Sequence, residues 1–138
     1  MPVLLDTGVL IAYVNAADPL HDRAGRLVRG ILAGAHGAPA APDHVVAEGL
    51  TFLRRRPARR SVSEAFFRLF ATGDPPGPIV VLPTTEDVFA AAVELHFARY
   101  DRALSIVDCV LISAARRRGA AVATFDRGFE GEVELLDA

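Results

Sequence analysis

Apolar residues fall along this chain in short unbroken runs and in helical stripes, and the two kinds alternate from end to end. Residues 3–5 are consecutively apolar and end at Asp6, as a buried strand would. Residues 7–15 follow as a helix apolar on most sides, which needs cover all round. After a turn at 16–19, Pro19 is placed to open a helix. Along that helix Leu20, Ala24, Leu27, Val28, Ile31 and Leu32 recur at helical spacing with arginines between them. Residues 34–37 end it, and 38–41 read as a short strand. Asp43 then stands where a cap is needed for a helix running to about Arg56, before Pro57, with Val45, Val46, Gly49, Leu50 and Leu53 as its stripe. Ser61 and Glu64 have capping-box spacing ahead of a helix carrying Phe66, Phe67, Leu69 and Phe70. A loop at 73–78 precedes a strand at 79–82. Thr84 or Thr85 starts the next helix, with Val88, Phe89, Ala92, Val93 and Phe97.

The stretch from Leu104 to Asp126 is the most sharply punctuated. Ser105 is an N-cap, Asp108 falls three residues later, and three arginines at 116–118 suit the negative end of a helix that Gly119 terminates. The helix is apolar on nearly every side and should be buried. Residues 120–124 form a strand that delivers Asp126, a turn follows at 127–131, and a last strand lies at 133–136. Alternating strands and helices predict an α/β fold, a three-layer α/β/α sandwich with a central parallel sheet and right-handed crossovers. At 138 residues it should form a single domain over 1–138.

Composition narrows the class. Hydrophobic residues make up 51% of the chain, which rules out disorder as the main state. No apolar run approaches the ~20 residues of a membrane span, and the start has no basic leader, so a cytoplasmic, membrane-free protein is expected. A lone Cys109 among aliphatics predicts core packing. The net charge of −2 is no nucleic-acid signature, but all 15 basic residues are arginine, the side chain suited to bidentate phosphate contacts. The scarcity of Lys, Asn and Gln also fits a GC-rich coding sequence.

Four carboxylates, Asp6, Glu48, Asp108 and Asp126, lie against or within apolar surface. Singly they have ordinary roles: Asp6 and Asp108 as caps, Asp126 as a turn residue. Glu48, at the edge of its helix's apolar stripe, is the hardest to explain that way. If all four converge at ~5 Å in an effective dielectric of ~20, each ionised pair repels by about 3 kcal/mol. Shared protons or a divalent cation must relieve that. All-oxygen donors without His or Cys favour Mg2+ or Mn2+, and such an ion serves a phosphodiester site well.

The segments LLDTGVLIAYVN, VVAEGLTFLRRR, LSIVDCVLISAARRRG and VATFDRGF resemble the acidic motifs of the PIN-domain ribonucleases, and are especially similar to VapC-type toxins of toxin–antitoxin operons. The likeness spans nearly the whole chain with its motifs in order. It implies a parallel sheet of order 3-2-1-4-5, with Asp6 and Asp126 on adjacent strands. It also implies one or two Mg2+ or Mn2+ ions held by Asp6, Glu48, Asp108 and Asp126, with Thr7 and Thr124 as polar supports. The activity implied is cleavage of single-stranded RNA by metal-activated water. The partners implied are a VapB-type antitoxin and a second copy of the chain. Arg54, Arg55, Arg116 and Arg127 are the candidate RNA contacts, although arginines at helix ends are also ordinary solvated groups. Two further readings compete. One is a catalytically inactive module that binds RNA or antitoxin. The other is a phosphoacceptor domain, which needs a lysine that this chain lacks.

Overall fold

In the computed structural model, which describes residues 2–55 and 60–136, five short strands form one parallel sheet. Its order is β3-β2-β1-β4-β5, with β1 Val3–Leu5, β2 Pro39–Pro42, β3 Val80–Leu82, β4 Ala121–Ala123 and β5 Leu135–Leu136. β1 is central, pairing Val3 with Pro39 on one side and with Ala121 on the other. That position explains its unbroken apolar run, for all three of its residues are buried. β2 is also interior, and its prolines sit at its two ends, where a missing N–H disrupts the ladder least. β3 is an edge strand, and Val80 is correspondingly half exposed.

Among the described residues six α-helices cover the sheet: α1 Thr7–Val14, α2 His21–Leu32, α3 Asp43–Arg54, α4 Arg60–Phe67, α5 Glu86–Ala98 and α6 Ile106–Arg118. The chain moves from β1 outward to β2 and β3, then returns past β1 to β4. With right-handed crossovers this puts α1 to α4 on one face and α5 and α6 on the other, the expected three layers. The packing agrees: α1 meets α2, α3 and α4, while α5 packs on α6. Cys109 to Ala115 of α6 are all buried, as a helix apolar on every side requires. Cys109 is wholly inside, and burial pushes its thiol pKa up, in keeping with a packing role.

Several local expectations are corrected. α2 begins at His21 rather than Pro19, because Asp18 Oδ1 accepts the Leu20 N–H at 2.8 Å and holds the turn open for two more residues. Asp43 does not cap α3. It is the first helical residue, and its carboxylate accepts from the Thr84 backbone N–H and hydroxyl at 3.2 and 2.5 Å. Glu64 forms no capping box either, since it pairs with Arg60 and Arg68 at 2.9 and 3.4 Å. α4 ends at Phe67, so Leu69 and Phe70 follow it, and Phe70 bridges to Ile79. Phe66 and Phe70 are fully buried and serve the core. On α5 the buried stripe is Val88, Ala92 and Leu95, which leaves Phe89 and Phe97 on the surface. Arg56, Pro57 and Arg59 lie outside the described residues.

Gly49 shows how the core reaches the acidic residue beside it. A Cβ there would lie 2.1 Å from Cζ of Phe66, so the missing side chain lets the ring of α4 pack directly on the α3 backbone. Among the described residues no helix is long and apolar enough to cross a membrane.

Candidate active site

In a parallel sheet, a helix that follows a strand begins near that strand's carboxyl end, and a helix that precedes a strand ends near its amino end, with its own N-terminus toward the carboxyl rim. α1 therefore starts beside Asp6, α3 starts at the exit of β2, and α6 ends where β4 begins, so its N-terminus with Asp108 faces the same rim. The rim lies where the sheet order reverses between β1 and β4.

Asp6 is buried. Its Oδ1 accepts the Thr7 N–H at 2.8 Å and its Oδ2 accepts the Thr124 hydroxyl at 2.7 Å. Thr124 Oγ1 in turn accepts the Asp126 N–H at 3.0 Å, so one hydroxyl ties the exits of two adjacent strands together. Asp126 itself is exposed, and its Oδ1 accepts the Gly128 N–H at 2.8 Å as the cap of a 3-10 turn, Arg127–Phe129. Asp108 completes the expected capping box with Ser105: its Oδ2 accepts the Ser105 N–H at 2.8 Å and its N–H reaches Ser105 Oγ at 3.1 Å. The ordinary roles of these aspartates are thus real.

Electrostatics ties the four acids together. Burial pushes Asp6 up to about 6, with the charges of Asp108 and Glu48 adding to it, against the pull of the Thr124 and Thr7 hydrogen bonds. Asp108 is also raised, first by burial and then by the charges of Asp126 and Glu48, although its Ser105 bonds oppose the rise. Asp6 thus lies within the fields of Asp108 and Glu48, and Asp108 within those of Asp126 and Glu48. Among the described residues no three His, Cys, Asp or Glu side chains enclose a metal position by themselves. The donor set still fits a hard divalent ion. Its donors are all oxygen, burial and then neighbouring acids disfavour the charged forms of Asp6 and Asp108, and Mg2+ retains several waters that span longer gaps. Thr7 Oγ1, on the residue after Asp6, is buried without a hydrogen-bond partner among the described residues.

The candidate arginines separate. Arg54 and Arg55 are exposed near the end of α3, and Arg55 lines a hollow of about 380 Å3 together with Glu48. Arg127 is exposed and pairs with Glu130 at 2.9 Å. Arg116 lies eight residues from Asp108, about 12 Å down the helix axis. It is bound to Glu132, with Nη2 to Oε1 at 2.6 Å and Nε to the backbone oxygen at 3.1 Å. Arg116 is therefore tied into the scaffold through Glu132, with its side chain about half exposed.

Two arrangements have no signal in the sequence pattern. Glu132 is buried yet surrounded by Arg99, Arg102 and Arg116. Burial alone would raise its carboxyl, but the hydrogen bond and charge of Arg99 and the charge of Arg116 lower it overall. Near Asp126, the guanidinium of Arg23 lies 4.6 Å from the centre of the Phe125 ring, a cation–π contact reaching from α2.

A parallel sheet whose order reverses beside a cluster of carboxylates defines a doubly wound α/β domain with an acidic site at its switch point. A family model described as the PIN domain matches residues 3–131, and the chain belongs to that family. The structure is similar to Mycobacterium tuberculosis VapC20, described as a sarcin-ricin loop cleaving toxin, at 25% identity, 99% coverage of both chains and a TM-score of 0.81. It is also similar to a chain in VapBC2 of Rickettsia felis, a complex bound to a promoter DNA fragment, at 14% identity, 99% and 98% coverage and a TM-score of 0.73. VapBC-1 of nontypeable Haemophilus influenzae shows the same fold at 13% identity, 99% and 98% coverage and 0.69. Comparison by sequence with curated proteins yields no match. The sheet order and the VapC-like fold expected from the motifs are both present.

Proposed function

We propose that this protein is a divalent-metal-dependent endoribonuclease, the toxin of a type II toxin–antitoxin pair. Asp6, Asp108 and Asp126 would hold one or two Mg2+ or Mn2+ ions, with Glu48 completing the set directly or through water. The observation that carries this reading is Asp6, a buried carboxylate held by the Thr124 hydroxyl at the strand exits beside Asp108 and Glu48, where a neutral residue would cost less. A bound divalent ion supplies the charge that offsets this repulsion and the Lewis acidity that hydrolysis of a phosphodiester needs.

The chain's own residues do the positioning. Thr124 fixes Asp6 and the start of the Asp126 turn with one hydroxyl, Ser105 orients Asp108, and Gly128 N–H orients Asp126. Arg55 at the rim offsets the acidic field toward an approaching polyanion. Membership of the PIN family and the likeness to VapC20 support RNA as the substrate class. The likeness to chains from VapBC complexes supports a VapB-type antitoxin as partner, while a pairing of two copies of this chain rests on the family resemblance of its motifs.

The test is cleavage of total RNA by purified, antitoxin-free protein in Mg2+ or Mn2+, with EDTA and Asp108→Asn as controls. Asparagine keeps an oxygen to accept the Ser105 N–H, so that variant removes the charge while keeping the cap. Sharp fragments that vanish in both controls are expected. Intact RNA from protein that binds the metal would instead favour a catalytically inactive RNA- or antitoxin-binding module.

A further inference from the structure

His44 stands on the first turn of α3, four residues before Glu48, so the two share a face of that helix about 6 Å apart along its axis. Both line the hollow of about 380 Å3 that also meets Val107 of α6. Building on the ribonuclease reading above, we propose that His44 is the residue that tells RNA from DNA. Its Nε2 accepts a hydrogen bond from the 2′-hydroxyl of a ribose beside the bond being cut.

Three observations support this. First, the proton on the ring is assigned by its neighbours. Burial alone would raise the Asp43 carboxyl, but the hydrogen bonds from Thr84 and His44 lower it overall, so it is ionised at neutral pH and can only accept. The Thr84 hydroxyl gives its one proton to Asp43 at 2.5 Å. His44 Nδ1 lies 3.0 Å from both Asp43 Oδ1 and Thr84 Oγ1, so Nδ1 must carry the hydrogen for both contacts. The neutral imidazole then keeps a bare lone pair at Nε2, an acceptor with nothing to donate.

Second, that lone pair is held in place and reached by solvent. Nδ1 faces Thr84 at the exit of β3, and Nε2 lies across the ring, turned away from it. The Phe89 ring, its centre 6.0 Å from that of His44, backs the imidazole. Among the described residues the buried polar side-chain atoms without a partner are Thr7 Oγ1 and His96 Nδ1. Nε2 of His44 has no partner there either, and its side chain is 34% exposed, so this atom opens to water.

Third, the chemistry of the strand leaves one common donor. A phosphodiester offers no proton at neutral pH, so a backbone without 2′-hydroxyls has nothing to give Nε2. The 2′-hydroxyl recurs on every nucleotide of RNA and is what separates RNA from DNA at a contact. Glu48 indicates where that backbone runs, because its charge acts on Asp6 and Asp108, the acids at which the phosphate reacts in the reading above. A ribose attached to that phosphate lies within about one helical turn of it, the spacing of His44 from Glu48. Water, not the 2′-hydroxyl, attacks phosphorus in that reading, so the hydroxyl keeps its proton for His44.

The experiment uses the whole chain carrying Asp108→Asn as parent, so that RNA is bound but not cut. Anisotropy in Mg2+ at about pH 8, where histidines are ordinarily neutral, is read with a fluorescein-labelled single-stranded RNA of about ten nucleotides. Nucleotides are replaced one at a time by 2′-deoxy and by 2′-fluoro versions. The fluoro sugar keeps the RNA pucker but donates no proton, which separates a hydrogen bond from sugar shape. One position should weaken binding about three- to tenfold in both series, the worth of a single hydrogen bond. His44→Asn keeps an N–H for Asp43 and removes Nε2. It should bind the all-ribose strand more weakly by the same factor and show no further loss at that position. His44→Gln, whose amide oxygen can stand in for Nε2, should restore part of the sensitivity.

No sensitive position in the parent, a loss with deoxy but not fluoro sugar, or the same loss in His44→Asn overturns the assignment while leaving the nuclease reading intact. A His44-dependent loss that follows removal of a base rather than of a hydroxyl gives Nε2 to the base and overturns it as well. RNA that is bound with the expected hydroxyl signature but never cut by protein retaining Asp108 upholds the assignment and defeats the nuclease reading. Absence of any RNA binding by the parent defeats both.

Discussion

Thr124 donates its hydroxyl to Asp6 Oδ2 at 2.7 Å across 118 positions of sequence, and so joins the exit of β4 to the exit of β1. That bond keeps a buried carboxylate ionisable where burial and neighbouring acids both favour its protonation. Thr124→Val, which preserves shape, leaves Asp6 and the Asp126 N–H each one partner short. It should cost about 1–3 kcal/mol in urea unfolding at neutral pH. Thr124→Ser should recover most of it, and a silent Thr124→Val would remove this hydroxyl from any role in the site.

Asp6 also sets a pH dependence. Its folded pKa of about 6 stands above the ordinary 3.8, so the folded chain binds this proton more tightly than the unfolded chain does. The stability tied to this group is therefore fully present below about pH 4 and is lost as pH rises through about 6. The loss is on the order of 3 kcal/mol, since each pKa unit is worth about 1.4 kcal/mol. In EDTA, Asp6→Asn should be more stable than the parent at neutral pH and lose this slope. Addition of Mn2+ should stabilise the parent and leave Asp6→Asn nearly unmoved. Urea midpoints measured from pH 4 to 8 decide it, and equal slopes in the two proteins would refute the assignment.

Glu132 should act with the opposite sign. Its carboxyl lies below the ordinary 4.5, so its contribution is present at neutral pH and is lost as pH falls below that value. Glu132→Gln retains one acceptor but leaves Arg99, Arg102 and Arg116 without their shared charge, at a cost of about 2 kcal/mol, because the arginines are half exposed. Thermal unfolding should show the loss at pH 7 and little difference from the parent near pH 3.

Gly49→Ala should destabilise by about 1–3 kcal/mol although alanine is the better helix former. The added methyl meets the Phe66 ring, which is fully buried and cannot swing away. Combining it with Phe66→Leu should cost less than the sum of the two single changes. Strict additivity in urea unfolding would show that the two residues do not touch.

Ser105→Ala removes half of the capping box and should cost about 1 kcal/mol. It should also weaken Mn2+ binding in calorimetry, because Asp108 loses the hydroxyl that orients its backbone. Unchanged metal affinity would separate the cap from the site.

What the sequence determined by itself lies within a few residues of each signal. The apolar run before Asp6, the Ser105–Asp108 spacing and Gly119 at the end of α6 each act through neighbouring backbone, and each reads correctly. The alternation of strand and helix was enough for a parallel sheet, since right-handed crossovers leave few ways to pack such units. The four acids also stood out, because carboxylates set against apolar positions are costly wherever they occur.

Tertiary structure decided which of several partners each polar group took. Asp43 and Glu64 have the right spacing for caps, but Thr84 lies 41 residues from the first, and the second has arginines four residues away on either side. It also decided that Glu132 gathers three arginines, that Gly49 makes room for Phe66, and that Phe89 and Phe97 face outward. The physical reason is range. A cap or a turn is settled by atoms a few bonds away, whereas a buried charge or a packed ring is settled by whatever the folded chain brings beside it.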